Sequence, residues 1–561
     1  SYYECLCGLL YYLKNVIIPT VNNNADAVAE LQTLYEELRS YVENYFDNLD
    51  VQEEINNKLD SMVESGTLQE IIASYLNSKA IFGFDNVASM KEASNLINGS
   101  YAKTLGYHTK NDGGGATYII RNPAENETAN NITTFTVGDY IAELALEESM
   151  FAEQFGCKND GTTDNTAKIQ TAVDSGIGVL EFGNGSFLSD AITITSPITI
   201  KGNGTKCIIN QHSAIAGGYF KINNTTNVNI SGLYFEPKTH TFTQNGRCID
   251  INNSTYVTIN DCEFYNMNGD GIIVTKGPDV ETDTLHHIYI YDCKFIGTGD
   301  GRNSITVFAG NNIYVHDNYF ENPTKGDMPG CFDIEPYVIS DYLFIHDIYF
   351  QNNISHGCKG RMVDGGSGSN VGLSLYNIVI SDNVCDCTSY NSGFFSFSFG
   401  SPSTGDIHNF VVKNNVVNCN KDTNRAITLN GMKNVDIVGN VFNNGWITLG
   451  GALSSNVTDT NIKIIGNTFT RTGSSDLIGT QFINIRLATD QVVDVIDNKF
   501  IYEANQYVQP LMFLPASDQP TPTRIAVWSN TFLRPTTTTA SNICTNYAAD
   551  MQGNVKDSYL S

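Results

Sequence analysis

Between residues 228 and 532 one eight-residue phrase recurs: alternating apolar and polar positions, a turn residue, then Asn, any residue and an aromatic. It reads VNISGLYF at 228–235, VTINDCEF at 257–264, IYIYDCKF at 288–295, IYVHDNYF at 313–320, LFIHDIYF at 343–350 and IVISDNVC at 378–385. It continues as FVVKNNVV at 410–417, VDIVGNVF at 435–442, IKIIGNTF at 462–469, VDVIDNKF at 493–500 and IAVWSNTF at 525–532. The copies start 25 to 35 residues apart. A period-2 apolar pattern predicts strands, and a repeat of this length predicts one coil of a solenoid per copy. The expected fold class is therefore all-β, a right-handed single-stranded parallel β-helix with three short strands and three turns of varying length per coil.

Stacked coils bring equivalent residues about 4.8 Å apart. The last position of the phrase is Phe at 235, 264, 295, 320, 350, 442, 469, 500 and 532, which predicts an internal aromatic stack. Two positions earlier stand Asn318, Asn383, Asn415, Asn440, Asn467, Asn498 and Asn530, which predict a ladder of amides that satisfies buried turn groups. Cys262 and Cys293 occupy that same position and are read as packing residues. His316 and His346 are read as sharing one outward position.

Upstream, the periodicity changes. Val28, Leu31, Tyr35, Leu38, Val42, Tyr45 and Leu49 alternate spacings of three and four, a heptad seam that needs partner helices and so predicts an oligomer. A second helical stretch runs from Val51 to Leu76, with a break at Gly66-Thr67. Lys103–Tyr107 and Asn111–Ile120 read as two strands around a glycine-rich turn. The predicted organisation is a docking segment (1–24), an α-helical coiled-coil stem (25–80), a small β collar (81–148), the parallel β-helix (149–533) and a C-terminal extension (534–561).

Composition narrows the function. Only 16% of the 561 residues are charged, and the formal net charge is −28. Such a field argues against nucleic acid and anionic membranes as partners. No apolar run is long enough to insert in a membrane; Leu9–Val21 is short and interrupted by Lys14, Asn15 and Pro19. The 13 cysteines form no CxxC pair and no zinc spacing, so buried free thiols are expected, in keeping with assembly in a reducing cytoplasm.

The start of the predicted solenoid carries a family signature. Gln154-Phe-Gly-Cys-Lys-Asn-Asp-Gly-Thr-Thr-Asp164 with Asn165-Thr-Ala-Lys-Ile-Gln170 resembles the opening motif of pectate-lyase-superfamily proteins. Val179–Phe187 and Ile200–Gly204 resemble the two segments that follow it, with Gly183 in place of the usual Pro. Tyr45–Leu59, and Thr104–Tyr107 with Asn111–Tyr118, are similar to the helical lead and collar of tail proteins from phages of Gram-positive hosts. The resemblance implies a tail spike or preneck appendage: a homotrimer held to a phage virion protein through its N-terminus, located in the virion, and adsorbing to host wall polysaccharide or teichoic acid.

Candidate chemistry lies between 265 and 365. Asn268-Gly-Asp-Gly271, Gly299-Asp-Gly-Arg-Asn303, Cys331-Phe-Asp-Ile-Glu-Pro336 and Met362-Val-Asp364 each follow the phrase at a similar offset, so Asp270, Asp300, Asp333 and Asp364 are expected along one outer face. Asp333 and Glu335 are i and i+2 on a strand, both expected to face out, with carboxyl groups ~5–9 Å apart as in glycosidases. The expected catalytic residues are Glu335 as proton donor, Asp333 as base or nucleophile, and Asp300. Arg302, Asn303, Asp270 and Asp364 are expected to bind substrate. No metal or cofactor is required, although calcium on Asp270 and Asp300 would suit a lyase alternative acting through Arg302 or Lys276. A polygalacturonase pattern is only partly matched, by Asn268-Gly-Asp270. A binding-only spike and a secreted polysaccharide enzyme are the competing readings.

Overall fold

The computed structural model describes helical residues within 29–40 and, from Gln52 on, everything except 79, 210–217, 240–245, 277–283, 298–301, 322–329, 337–343, 358–359, 368–373, 388–392, 400–406, 420–424, 451–459, 473–480, 488–490, 503–509, 516–523, 535–543, 546–549, 553–554 and 560–561. The chain divides into two compact units, Ser1–Ala145 and Leu146–Ser561.

In the first unit two helices, Gln52–Glu64 and Thr67–Ser78, are separated at Gly66, whose φ of 75° ends the first. Most of the heptad seam, including Val28, Leu31, Val42, Tyr45 and Leu49, lies outside the described residues, as does the docking segment; Tyr35 and Leu38 fall on a helical stretch at 35–40. A five-stranded sheet follows, in the order Ile81–Phe84, Tyr101–Thr104, Thr117–Arg121, Tyr140–Leu144, Thr134–Val137. The glycine-rich turn joins an antiparallel pair, Tyr101 opposite Ile119. Asp112 orders that turn by accepting from the backbone N–H groups of Tyr107, His108, Thr109 and Gly114.

The second unit is a right-handed parallel β-helix. One face is a 13-stranded parallel sheet from Ile192–Ile194 to Cys544–Thr545, and the remaining strands of each coil pair with their counterparts one coil away. The helix Thr166–Asp174 buries Ile169, Ala172 and Val173 at the first coils, packing on the strand Ile192–Ile194 and the turn Ala152–Phe155. At the other end the solenoid runs past 533. Asp550–Gln552 pairs with Arg524–Trp528, and Val555–Tyr559 with Thr531–Arg534. Among the described residues no helix is long and apolar enough to cross a membrane.

The expected ladder is present and longer than the sequence suggested. Asn415 Nδ2 donates to Ile380 O (3.0 Å) and Asn440 Oδ1 (2.9 Å), while its own Oδ1 accepts from Asn383 N (3.0 Å) and Nδ2 (2.9 Å). The chain of amides runs through Asn318, Asn353, Asn383, Asn415, Asn440, Asn467, Asn498 and Asn530. Cys293 holds the corresponding place one coil earlier, its N–H donating to Asn318 Oδ1 (3.0 Å). The residue before each ladder position sits in the left-handed region (φ 56° at Asp317, 61° at Asp382, 57° at Asn414), and so is Asp, Asn, Gly or Ser. The phenylalanines stack in two runs. Phe235, Phe264, Phe295 and Phe320 have centroids 4.7–5.2 Å apart, and Phe442, Phe469, Phe500 and Phe532 4.9–5.1 Å.

Two alignments are corrected. The phrase read at 343–350 is slipped by five residues: Ile348 pairs with Ile313 and Ser355 with Phe320, so the repeat unit is IYFQNNIS at 348–355. Phe350 therefore leaves the stack and joins the neighbouring inward row opposite Val315, where it meets Phe332 at 5.0 Å. Ser355, Cys385 and Val417 fill the stack position between the two phenylalanine runs. His316 and His346 do not share a row, since His316 pairs with Gln351 and His346 with Asn311. All nine cysteines whose side chains are described are buried, and burial pushes the Cys157 thiol up to about 12.

Candidate functional site

The site grows from the outer side of the 13-stranded sheet. In the strands Gly330–Ile334 and Arg361–Ser367, Phe332, Ile334 and Val363 fill the core, which turns Asp333 and Asp364 the other way. Register places Thr306, Asp333, Asp364 and Ser396 in one row on successive coils. Asp270 does not stand in that row. Ile273 does, and Asp270 pairs instead with Arg247, three residues upstream. A constant offset from the phrase does not survive turns of unequal length.

Residues 302 and 303 nevertheless draw the carboxylates together. Arg302 Nη1 donates to Asp270 Oδ2 (3.1 Å) and Nη2 to Glu335 Oε2 (2.9 Å). Asn303 donates its backbone N–H to Asp270 Oδ1 (3.0 Å) and its Nδ2 to Asp333 Oδ2 (2.8 Å) and Thr306 Oγ1 (3.1 Å). Its Oδ1 accepts from Gly330 N (3.2 Å). Gly269 and Gly271 flank Asp270 because their neighbours are close: an added Cβ would lie 2.1 Å from Gly246 O and 2.6 Å from Ser304 O.

Depth separates the carboxyl groups. Asp333 is 2% exposed and Asp270 fully buried, whereas the Glu335 side chain is 39% exposed. The expectation that Asp333 and Glu335 both reach solvent thus holds for Glu335 only. Burial pushes Asp270 up to about 7, against the opposing pull of Arg302. Burial, reinforced by the charges of Glu335 and Asp364, holds Asp333 well above the usual carboxylate range. Asp364 is raised by burial to about 6 despite its 2.9 Å ion pair with Arg361. Asp300 lies outside the described residues, and Asp270, its partner in the calcium alternative, is neutralised by Arg302.

Sequence reasoning missed Thr306, Arg361 and a related pair three coils before Asp333, Arg247 with Asp250 (3.4 Å). The signal was present as a second repeat on this sheet: Arg247-Cys-Ile-Asp250, Gly330-Cys-Phe-Asp333 and Arg361-Met-Val-Asp364. Gly330 replaces the arginine before Asp333, and Arg302 of the preceding coil pairs instead with Asp270 and Glu335.

No family model matches the chain. Among curated proteins, the uncharacterized protein YclG of Bacillus subtilis (strain 168) is 26% identical over 321 residues, 51% of this chain and 51% of that protein. The tail spike protein of Escherichia virus K5 is 27% identical over 142 residues, 25% of this chain and 22% of that one. The chain thus spans about half or less of the curated relatives it matches. Similar solved structures include the tailspike protein gp49 of Acinetobacter baumannii bacteriophage Fri1, a capsular polysaccharide depolymerase (14% identity, TM-score 0.43, covering 79% of this chain and 77% of that one). Tailspike protein 3 of bacteriophage CBA120 (14%, 0.46, 74% and 65%) and the N-terminal fragment of bacteriophage Phi29 gene product 12 (15%, 0.46, 72% and 70%) are similar to the same extent.

Proposed function

We propose that this chain is a phage tail spike or appendage, a homotrimer of the virion that binds a host cell-surface glycan or teichoic acid and depolymerises it. One observation carries the reading: a buried Asp333, its carboxyl held above the usual range by burial, lies on the outer side of a solenoid sheet beside a solvent-reaching Glu335 held by Arg302. Glycosidic cleavage needs that division, one carboxyl group keeping its proton and one free to attack or to activate water. The likeness to the tail spike protein of Escherichia virus K5 supports the setting.

The environments favour roles opposite to those expected from spacing alone. Asp333 donates its proton to the leaving glycosidic oxygen, and Glu335 serves as base or nucleophile. Arg302 orients Glu335, and Asn303 fixes Asp333. Purified protein incubated with wall polysaccharide or teichoic acid of a susceptible host should release oligomers with new reducing ends. Glu335→Gln and Asp333→Asn should each lower the rate by two or more orders of magnitude. Binding without release in the parent protein would mean a receptor-binding spike, and unsaturated product ends would mean a lyase. Sedimentation of the full chain checks the trimer.

A further inference from the structure

The strand Arg247–Asn252 lies on the same sheet, three coils before Asp333 along the row Asp250, Ile273, Thr306, Asp333. At about 4.8 Å per coil the separation along the axis is roughly 14 Å, a span of a few sugar units. Ile249 and Ile251 are core residues, so Asp250 and Asn252 share the outer face, and the 3.4 Å ion pair brings the Arg247 guanidinium beside them. Asp250 is 4% exposed.

Three atoms of this short strand, Arg247 Nε, Asp250 Oδ1 and Asn252 Oδ1, are buried without a hydrogen-bond partner. Asn268 Oδ1 and Ser304 Oγ, in the coils between this strand and the candidate site, are in the same condition. These five make up half of the ten such atoms among the described residues, so unmet hydrogen-bonding capacity gathers on one stretch of one sheet. Buried polar atoms without partners cost stability, and a cluster of them is what a polar ligand leaves behind when it is absent.

We propose that Arg247, Asp250 and Asn252 form a distal glycan subsite that binds the hydroxyl groups of an uncharged sugar unit, a few units from the bond cleaved at Asp333 and Glu335. The inference rests on the depolymerase reading and adds a substrate class to it. One N–H donor beside two acceptors matches adjacent hydroxyls, which accept from Arg247 Nε and donate to Asp250 Oδ1 and Asn252 Oδ1. Arg247 is paired with Asp250, Arg302 with Asp270 and Glu335, and Arg361 with Asp364. Each of these guanidiniums is already met by a carboxylate, and Lys221, the neighbour of Asp250 in the same row, adds a cation there, so the preference for a neutral unit rests on the three hydrogen-bonding atoms rather than on charge. The glycan then runs along the solenoid axis, and the enzyme favours a neutral polymer over teichoic acid.

The test compares the parent protein with Asp250→Asn and Asn252→Ala, using neutral gluco-, galacto- and manno-oligosaccharides of increasing length, the corresponding polymers, and glycerol-phosphate teichoic acid. Without glycan, the variants should unfold at the parent's temperature or above it, because unmet buried groups have been softened or removed. Their affinity for neutral oligomers long enough to span three coils should fall about tenfold, as one lost polar contact implies. Any loss of turnover should lie in KM rather than kcat. Variants that are destabilised yet bind like the parent would overturn the subsite, as would a parent that binds teichoic acid better than every neutral oligomer, or binds no neutral oligomer. A parent that binds long oligomers through this strand but releases no fragments from any polymer refutes the depolymerase reading and leaves the subsite standing. A parent that cleaves a neutral polymer while both variants match it in affinity and KM refutes the subsite alone.

Discussion

At the scale of single residues, Asn303 is the hinge of the candidate site, because one amide contacts Asp333, Thr306 and Gly330 while its backbone N–H holds Asp270. The Nδ2 donor favours the ionised form of Asp333, so removing it pushes the pKa of that group further up. Asn303→Ala should therefore lower kcat about tenfold or more and move the alkaline limb of the pH–rate profile upward by about one unit. A merely structural role would leave the limb where it was, and rate profiles on any cleaved polymer distinguish the two. That Arg302, Asn303, Asp333 and Glu335 lie near one another was anticipated from their similar offset behind the repeated phrase, although only Asp333 stands within a strand. Depth was not legible. Spacing of i and i+2 says nothing about what covers a carboxyl group, and burial is what separates Asp333 from Glu335, the difference on which the proposed exchange of roles rests.

At the scale of the repeated element, the coil is specified by its turn. A left-handed residue followed by Asn closes the first turn, and the Asn side chain repeats the hydrogen bonding of a strand from coil to coil. Asn415→Ala would take the side-chain partner from Ile380 O and Asn383 N–H in a buried row, while Asn440 Oδ1 keeps only the Asn415 backbone N–H. The expected loss is about 3 kcal/mol, read as a lower denaturation midpoint or faster unfolding, with the site chemistry unchanged. Phe469→Ala, in the middle of the second aromatic run, should cost about 3–5 kcal/mol by leaving a cavity between Phe442 and Phe500. Ten of the eleven phrase copies fall in register as read. The slipped one, at 343–350, has a physical cause: Phe350 ends an apolar–polar run just as the stack residues do, but two inward rows run side by side and sequence alone does not say which one a phenylalanine joins. A second ladder, from Asp347 through Asn377, Asn409, Asn434 and Asn461 at another left-handed position, escaped notice because its residues precede the phrase.

At the scale of the whole molecule, acid and stability are linked in an unusual direction. Most carboxylates in proteins gain partners on folding, so acid destabilises the native state. Here four acids on one sheet, Asp250, Asp270, Asp333 and Asp364, are raised by burial. A group whose folded value exceeds its unfolded one contributes stability that is complete below about pH 4 and is lost as pH rises through the folded value. For Asp364 that loss runs from about pH 4 up to about 6 and for Asp270 up to about 7, while the self-repulsion of a chain of net charge −28 grows over the same rise in pH. The protein should therefore unfold faster at pH 8 than at pH 5, which unfolding rates in denaturant at the two values would establish. Asp364→Asn isolates one contribution. It removes the titration while keeping the shape, so the variant should gain on the order of 3 kcal/mol relative to the parent at pH 8 and almost nothing at pH 4. The gain falls short of that to the extent that the 2.9 Å pair with Arg361 is forfeited. A variant that loses stability equally at both pH values would instead make Asp364 an ordinary ion-pair partner, and the sheet would then hold its acids by pairing alone.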